Sequence, residues 1–319
     1  MTSHTAEPDP RTFAGDSIGA TVKRMFFATR PKFFTASVLP VLVGFAWGFK
    51  YTGSFDGAVF ILALLATVLV HAASNVYNDV GDDISGTDVN NMARIHPFTG
   101  GSRFIQNGVM SRSEMAQLSY LLFGLALLAG GVLVALKGLY VLWMGAAGIA
   151  LGVLYSMPRI QLIAHGLGEL AIVLAFGVLP VNGAAWLFTG TFDLTLFWLS
   201  LSVGLWVAAI LQINEVPDIA ADEAAGKRTL AVRVGARGVA VVYAIMQVLA
   251  FGFLGALVAS GQFSILLLAL PAVLLILAFR ATACITPPPH PKLVTGIQIT
   301  LAIQLLGCLW LVGFLLFMV

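Results

Sequence analysis

Asparagine and aspartate recur with one spacing in two places, as Asn75/Asp79/Asp83 and Asn214/Asp218/Asp222. The sets share a single offset of 139 residues (75 to 214), the pattern of a functional pseudo-repeat. On a helix, residues four apart stack along one side about 5.4 Å from each other. Each set is therefore expected to project an amide and two carboxylates from one face. Mg2+ favours hard oxygen ligands: one or two carboxylates, with water and substrate phosphate completing its shell. Two such arrays facing each other suit a diphosphate bridged by metal, and two ions are expected. The predicted metal ligands are all six residues, with Asp79, Asp83, Asp218 and Asp222 the catalytic carboxylates and Asn75 and Asn214 also placed against diphosphate.

The surroundings of both sets are charged. Together they hold eight of the fifteen acidic residues, at positions 79, 82, 83, 88, 215, 218, 222 and 223. Crowded carboxylates repel one another and drift toward protonation unless cations intervene. Arg94, Arg103, Lys227 and Arg228 are placed to carry the remaining phosphate charge. A solvated loop rim would account for those basic residues but not for the matched acid spacing.

What must position these groups is a membrane bundle. The chain of 319 residues is 59% hydrophobic and 10% charged, with a mean hydropathy of +0.95, which excludes a soluble domain. Apolar runs able to cross a hydrocarbon core, about 20 residues each, lie at 33–49, 57–77, 115–135, 139–156, 166–188, 194–213, 238–259, 262–284 and 297–318. The expectation is an all-α membrane protein of nine transmembrane helices, with a cytoplasmic-side cavity capped by two Asp-rich loops, 78–114 and 214–237. With a cytoplasmic N-terminus, fifteen Lys and Arg fall inside and two, Lys50 and Lys137, outside. The C-terminus is then outside and the compartment is the cell (inner) membrane. A net charge of +2 gives no reason to expect a nucleic-acid partner.

Residues 1–29 read as a cytoplasmic tail, disordered near Glu7–Pro10, with an interfacial helix over 16–29 and no cleavable signal; 30–319 form one transmembrane domain. Cys284 and Cys308 share no metal-ligand spacing and are assigned to packing. Gly145, Gly148 and Gly152 suggest close helix contact, while Pro40, Pro180 and Pro271 should kink or open their helices. Pro217 should end or bend the helix carrying the second set. For an acceptor pocket the candidates are His71, one turn before Asn75; Tyr155 and Gln212 near helix ends; Asn182 after Pro180; and Glu169, a carboxylate near a span. His96, His165 and His290 carry no usable spacing.

The two sets resemble those of the UbiA-type superfamily of intramembrane prenyltransferases. The resemblance covers nearly the whole chain: nine helices, Asp-rich motifs ending helices two and six, and Arg30-Pro31-Lys32 opening the first. It is most similar to the branch that prenylates 1,4-dihydroxy-2-naphthoate in menaquinone synthesis, through Asn78-Asp79, Asp83, Gly86 and Asp88, then Asp218, Asp222 and Gly226-Lys227-Arg228-Thr229-Leu230. Tyr155-Ser-Met-Pro158 and Gly166-Leu-Gly168-Glu169 also match segments of that family. Where the branch commonly has Asn-Asn-x-Arg-Asp, this chain reads Asn214-Glu215-Val216-Pro217-Asp218. The resemblance implies Mg2+-dependent transfer of a polyprenyl group from its diphosphate to an aromatic acceptor, with loss of the acceptor carboxylate, in a cavity open sideways to lipid. Another acceptor (4-hydroxybenzoate, homogentisate or a tetrapyrrole) and a membrane terpene cyclase stay open within the superfamily. A cation-coupled transporter is the rival outside it, disfavoured because the spans are almost free of charge.

Overall fold

The computed structural model describes residues 7–287 and 291–318. His290 lies outside them. Among the described residues there are helices and no strand, and nine helices are long and apolar enough to cross a membrane. They are Pro31–Thr52, Gly57–Ser85, Arg112–Lys137, Leu139–Ser156, Gly168–Thr189, Leu194–Asn214, Leu230–Ala259, Ile265–Cys284 and Pro291–Phe317, the first to ninth spans below. Their order matches the apolar runs of the sequence.

Local chemistry sets their ends. The Asp56 side chain caps the second span by accepting from the backbone N–H of Ala58 and Val59 at 3.0 and 3.1 Å, and Gly86 closes it in the left-handed conformation. A capping box of Ser111 and Glu114 opens the third span. Pro180 follows a π-helical stretch, Val173–Val178, so the fifth span widens there instead of breaking. Pro271 sits in the first turn of the α-helical part of the eighth span, where its missing N–H costs little. The seventh helix begins at Leu230, earlier than the apolar run, with a break at Gly235 (φ 66°, ψ 171°).

The tightly packed half of the bundle joins the first, fifth, sixth, seventh, eighth and ninth spans around Trp47, Tyr243 and Phe314, all fully buried. Its helices approach closely at Gly44 against Val181 and at Gly177 against Gly204, where an added Cβ would meet the other helix's backbone. The expectation for Gly145 and Gly148 is corrected: a Cβ at either would meet nothing within 4 Å, and of that trio only Gly152 is packed, against Ser74. The fourth span is the loosest, with 6% of its most apolar window buried. Cys284 and Cys308 are free, the latter fully buried.

Disorder near Glu7–Pro10 is also corrected. The Glu7 carboxylate accepts from Arg94 Nε at 2.7 Å and Asn107 Nδ2 at 3.3 Å, and a 3-10 turn follows at Pro10–Phe13. The helix expected over 16–29 forms at Ile18–Ala28 and exposes Ile18, Val22, Phe26 and Phe27, an apolar face suited to lipid.

Candidate active site

The first motif lies on one unbroken helix, the second span, and helical geometry decides which of its residues meet. At about 100° per residue, steps of three and four alternate around one face, whereas repeated steps of four drift about 40° each. Seven residues on from Asn75, Asp82 returns to within about 20° of it, while Asp83 is about 80° away. The cavity wall accordingly takes His71, Asn75, Asn78 and Asp82. Asp79 is buried beside that wall, ion-paired with Arg30 and accepting the Ser102 N–H at 3.1 Å. Asp83 is not in the wall: it pairs with Arg112 Nε at 2.6 Å and accepts from Gln106 Nε2 at 3.3 Å. Its placement with Asn75 and Asp79 on one cavity face is corrected by this drift.

The second motif is not on one helix face at all. The sixth span ends at Asn214, a turn runs through Glu215 and Pro217, and a short helix, Ile219–Ala224, starts after Asp218. Proline has no N–H to continue the ladder. The bend still brings Asn214, Glu215, Asp218 and Asp222 to the cavity.

The two motifs meet. Lys227 Nζ lies 2.6 Å from Asp82 and 3.3 Å from Asp222, and Asn91 Nδ2 donates to Asp218 Oδ1 at 2.6 Å. Asp88 enters from a single turn, Thr87–Asn90, and Gly100 and Gly101, both at φ +73°, fold over it. A Cβ at Gly101 would stand 2.7 Å from Asp88 Oδ2 and 3.0 Å from Asp79 Oδ1, so only glycine lets the loop descend so close. Arg30, itself at φ +57°, reaches the cavity from the start of the first span and also donates to Asn78 Oδ1 at 3.4 Å.

Of the four basic residues predicted for diphosphate, Lys227 alone lines the cavity. Arg94 is held by Glu7 and the Asn91 carbonyl, Arg103 donates to the Asp88 carbonyl, and Arg228 is exposed. Arg94 and Arg103 thus tie down the loop that carries them, while Arg228 stands outside the cavity lining. Of the acceptor-pocket candidates, His71 and Tyr155 line the cavity. His71 Nδ1 is 2.7 Å from Ser37 Oγ, and its ring meets Phe176 edge-on at 4.8 Å. Asn182 instead donates to Val178 O and Ser200 Oγ between helices; Gln212 is fully buried and Glu169 lies behind the wall. Arg30, Asn78, Asp82, Asp88, Asn91 and Glu215 were absent from the predicted site. For Asn78 and Asp82 the signal was available in the 71–75–78–82 face.

Electrostatics favour an incoming cation. Burial and then the charge of Asp82 push Asp88 up to about 7; burial and then Asp222 push Asp218 up to about 7. Burial raises Asp222 to about 6 despite Lys227. Burial would lower Lys227, but Asp82 and Asp222 together raise it. Asp88 Oδ2, Asn91 Oδ1 and Asn214 Oδ1 find no hydrogen-bond partner among the described residues. Nor do three His, Cys, Asp or Glu side chains among those residues form a preformed metal cage. The all-oxygen donor set therefore fits Mg2+ better than a metal needing a complete protein shell, because Mg2+ recruits water and phosphate.

Below the carboxylates the walls are apolar, in a cavity of about 560 Å³. Its lining on the second span runs from Ala63 to Asp82, about 28 Å at 1.5 Å per residue. Leu127 and Leu142, on the third and fourth spans, line it and are exposed, which suits the side opening that the family resemblance implies. Chemically the arrangement offers an anion-and-metal end joined to a long apolar groove.

Comparison with known proteins agrees in kind. A model of the UbiA prenyltransferase family matches residues 37–295. The 1,4-dihydroxy-2-naphthoate octaprenyltransferase of Haemophilus influenzae is 32% identical over 226 residues, covering 69% of this chain and 71% of that protein. The Escherichia coli protein of the same name is 32% identical over 214 residues, 65% and 67% of the two chains. A UbiA homolog from Archaeoglobus fulgidus, solved bound to DMAPP and Mg2+, superposes with a TM-score of 0.67 at 17% identity over 93% of this chain and 100% of that one.

Proposed function

We propose that this chain, which belongs to the UbiA prenyltransferase family and is a multi-pass membrane prenyltransferase, moves a polyprenyl group from its diphosphate onto 1,4-dihydroxy-2-naphthoate. Carbon dioxide leaves from the substituted carbon, and the product serves menaquinone biosynthesis. The observation that carries the reading is the convergence of Asp82, Asp88, Asp218 and Asp222 with Arg30 and Lys227 at one end of an apolar cavity. The naphthoate acceptor is supported by the two relatives that bear its name.

In this reading Asn78, Asp82 and Asp88 on one wall, and Asn214, Asp218 and Asp222 on the other, would hold two Mg2+ ions. When bound, the metal neutralises diphosphate and stabilises the charge that develops as it leaves. Arg30 and Lys227 hold the remaining phosphate oxygens. Asn75 lies just below, where its Nδ2 donates to the Thr29 carbonyl at 3.1 Å, and it borders the diphosphate from the apolar side. The polyprenyl tail occupies the apolar walls and can extend into lipid through the side opening. The cap loops, tied together by Asn91 to Asp218 and Lys227 to Asp82, keep water from the allylic carbon while the electron-rich ring attacks it. The surplus of Lys and Arg on this side orients it, and the N-terminus, to the cytoplasm of the inner membrane.

The test is a competition in reconstituted membranes, with 1,4-dihydroxy-2-naphthoate and 4-hydroxybenzoate offered against one limiting polyprenyl diphosphate. Prenylated, decarboxylated naphthoate should dominate and vanish in EDTA. Preferential prenylation of hydroxybenzoate, a naphthoate product that keeps its carboxylate, or full turnover without divalent metal would each defeat part of the reading.

A further inference from the structure

One cavity group is left without a task. Glu215 is 4% exposed, lines the cavity, and neither of its carboxyl oxygens has a hydrogen-bond partner among the described residues. Behind it stands the Glu169 carboxyl, close enough to share a hydrogen bond when one of the two carries a proton, with its Oε1 also unpartnered. Buried polar atoms without partners are rare because they forfeit hydration, and a carboxyl beside a membrane span is more costly still. Asp82 and Asp222 are answered by Lys227, and Asp218 by Asn91. Among the described residues no basic or amide donor answers Glu215.

Position points to what does. Along the chain Glu215 lies between the apolar sixth span and Asp218, at the boundary between groove and carboxylate end. Tyr155 lines the cavity and interacts electrostatically with Glu215, Glu169, Asp82 and Asp222. A carboxyl keeps a free lone pair whether or not it is protonated, so in either state it accepts a hydrogen bond from a hydroxyl. When ionised, it also repels a carboxylate on the ligand.

We propose that Glu215, backed by Glu169, is the subsite that accepts a hydrogen bond from a ring hydroxyl of the aromatic acceptor, and so turns the acceptor with its carboxylate away from this wall. The subsite rests on the reading of an aromatic acceptor given above. It makes Glu215 a specificity determinant, separate from the groups that hold diphosphate.

The experiment compares the full-length enzyme with Glu215→Ala and the near-isosteric Glu215→Gln, using 1,4-dihydroxy-2-naphthoate and its two monomethyl ethers. A site built to bond a hydroxyl rejects an analogue lacking it strongly. In the wild type, one ether should therefore be a much poorer acceptor than the diol. In Glu215→Ala the acceptor KM should rise about tenfold or more and the preference for diol over that ether should collapse, with the KM for prenyl diphosphate within about twofold. Glu215→Gln, which keeps one acceptor oxygen and the side-chain volume, should retain part of the preference. Unchanged discrimination in the folded variants overturns the subsite. So does a tenfold rise in the Mg2+ needed for half-maximal activity, which would make Glu215 a metal group. If both substitutions prevent folding, Glu169→Gln must lower the diol preference, and its failure to do so also overturns the subsite. Absence of prenyl transfer to any hydroxylated ring by the wild type defeats the acceptor reading, and the subsite with it.

Discussion

The two Asp-rich motifs share a spacing but reach the cavity by different means. The first delivers Asn75, Asn78 and Asp82 from the face of a rigid helix, with Asp88 arriving from the loop beyond Gly86. The second delivers Asn214, Asp218 and Asp222 across a break in the helix at Pro217. A continuous helix makes its own selection by angle, and Asp83 is turned out of the cavity wall. A bend frees later residues from that selection. Equal spacing in sequence therefore does not mean equal register in space, and the carboxylates that meet are those that angle and bend together permit.

The largest expected effect separates Asp82 from Asp83. Removing one preorganised group that meets developing charge costs about 10²–10³ in turnover, so Asp82→Ala should fall by at least that much. Asp83→Ala should stay within a few-fold. Steady-state rates for the two variants, matched for expression, decide which register serves the reaction, and equal losses would erase the distinction.

Pro217→Ala tests the second route. Restoring an N–H allows the sixth span to continue and carry Asp218 and Asp222 around its axis. A displacement of about 1 Å can cost about 10²-fold, so turnover should drop by up to that amount while the thermal unfolding midpoint changes little. A variant with wild-type turnover would show that the bend is held by its surroundings and not by proline.

The third prediction concerns protons. Asp88 and Asp218 stand near 7 and Asp222 near 6, all above the usual 3.8. Because the fold favours their protonated forms, their contribution to stability is present at low pH and lost as pH rises from about 4 through about 7. Mg2+ competes with protons for the same oxygens and binds the folded chain. It should therefore raise the melting midpoint more at pH 8 than at pH 5, read by scanning fluorimetry in detergent. An equal or larger gain at pH 5 contradicts the carboxylate cluster as the metal's home.

The smallest effects belong to residues outside both routes. The Arg112 side chain is 56% exposed, so breaking its pair with Asp83 should cost no more than about 1 kcal/mol. Asn182→Ala removes a bond to Ser200 between two helices and should cost about 0.6 kcal/mol of stability, with acceptor KM unchanged. A changed KM would return Asn182 to the pocket.

Much of the bundle could be read in advance because hydrophobicity is a local, additive property. A run of about 20 apolar residues must cross the bilayer whatever surrounds it, and so nine spans stood out in the right order. The helix at Ile18–Ala28 and the break ahead of Pro217 were likewise legible from amphipathic pattern and missing N–H groups. The packing glycines were not: Gly145 and Gly148 look like Gly177 and Gly204 in composition, and only the neighbouring helix distinguishes them. The partners of Arg94 and Arg103 were hidden for a related reason, since a basic side chain in a loop is satisfied by whichever carbonyl or carboxylate folding brings nearest.

The amino-acid order was enough to specify a membrane protein, nine apolar runs and the kind of chemistry, because each follows from residue type and short-range spacing; the superfamily came through the resemblance of its motifs. Which carboxylates meet across the cavity was settled by long-range packing: Asp82 and Asp222 gather on Lys227, Asn91 reaches Asp218, and Gly101 descends onto Asp88. The same geometry left Glu215 unanswered in the wall and hid Asn182 between helices. Side-chain partners depend on direction as well as distance, and direction is set only when helices far apart in sequence are packed against one another.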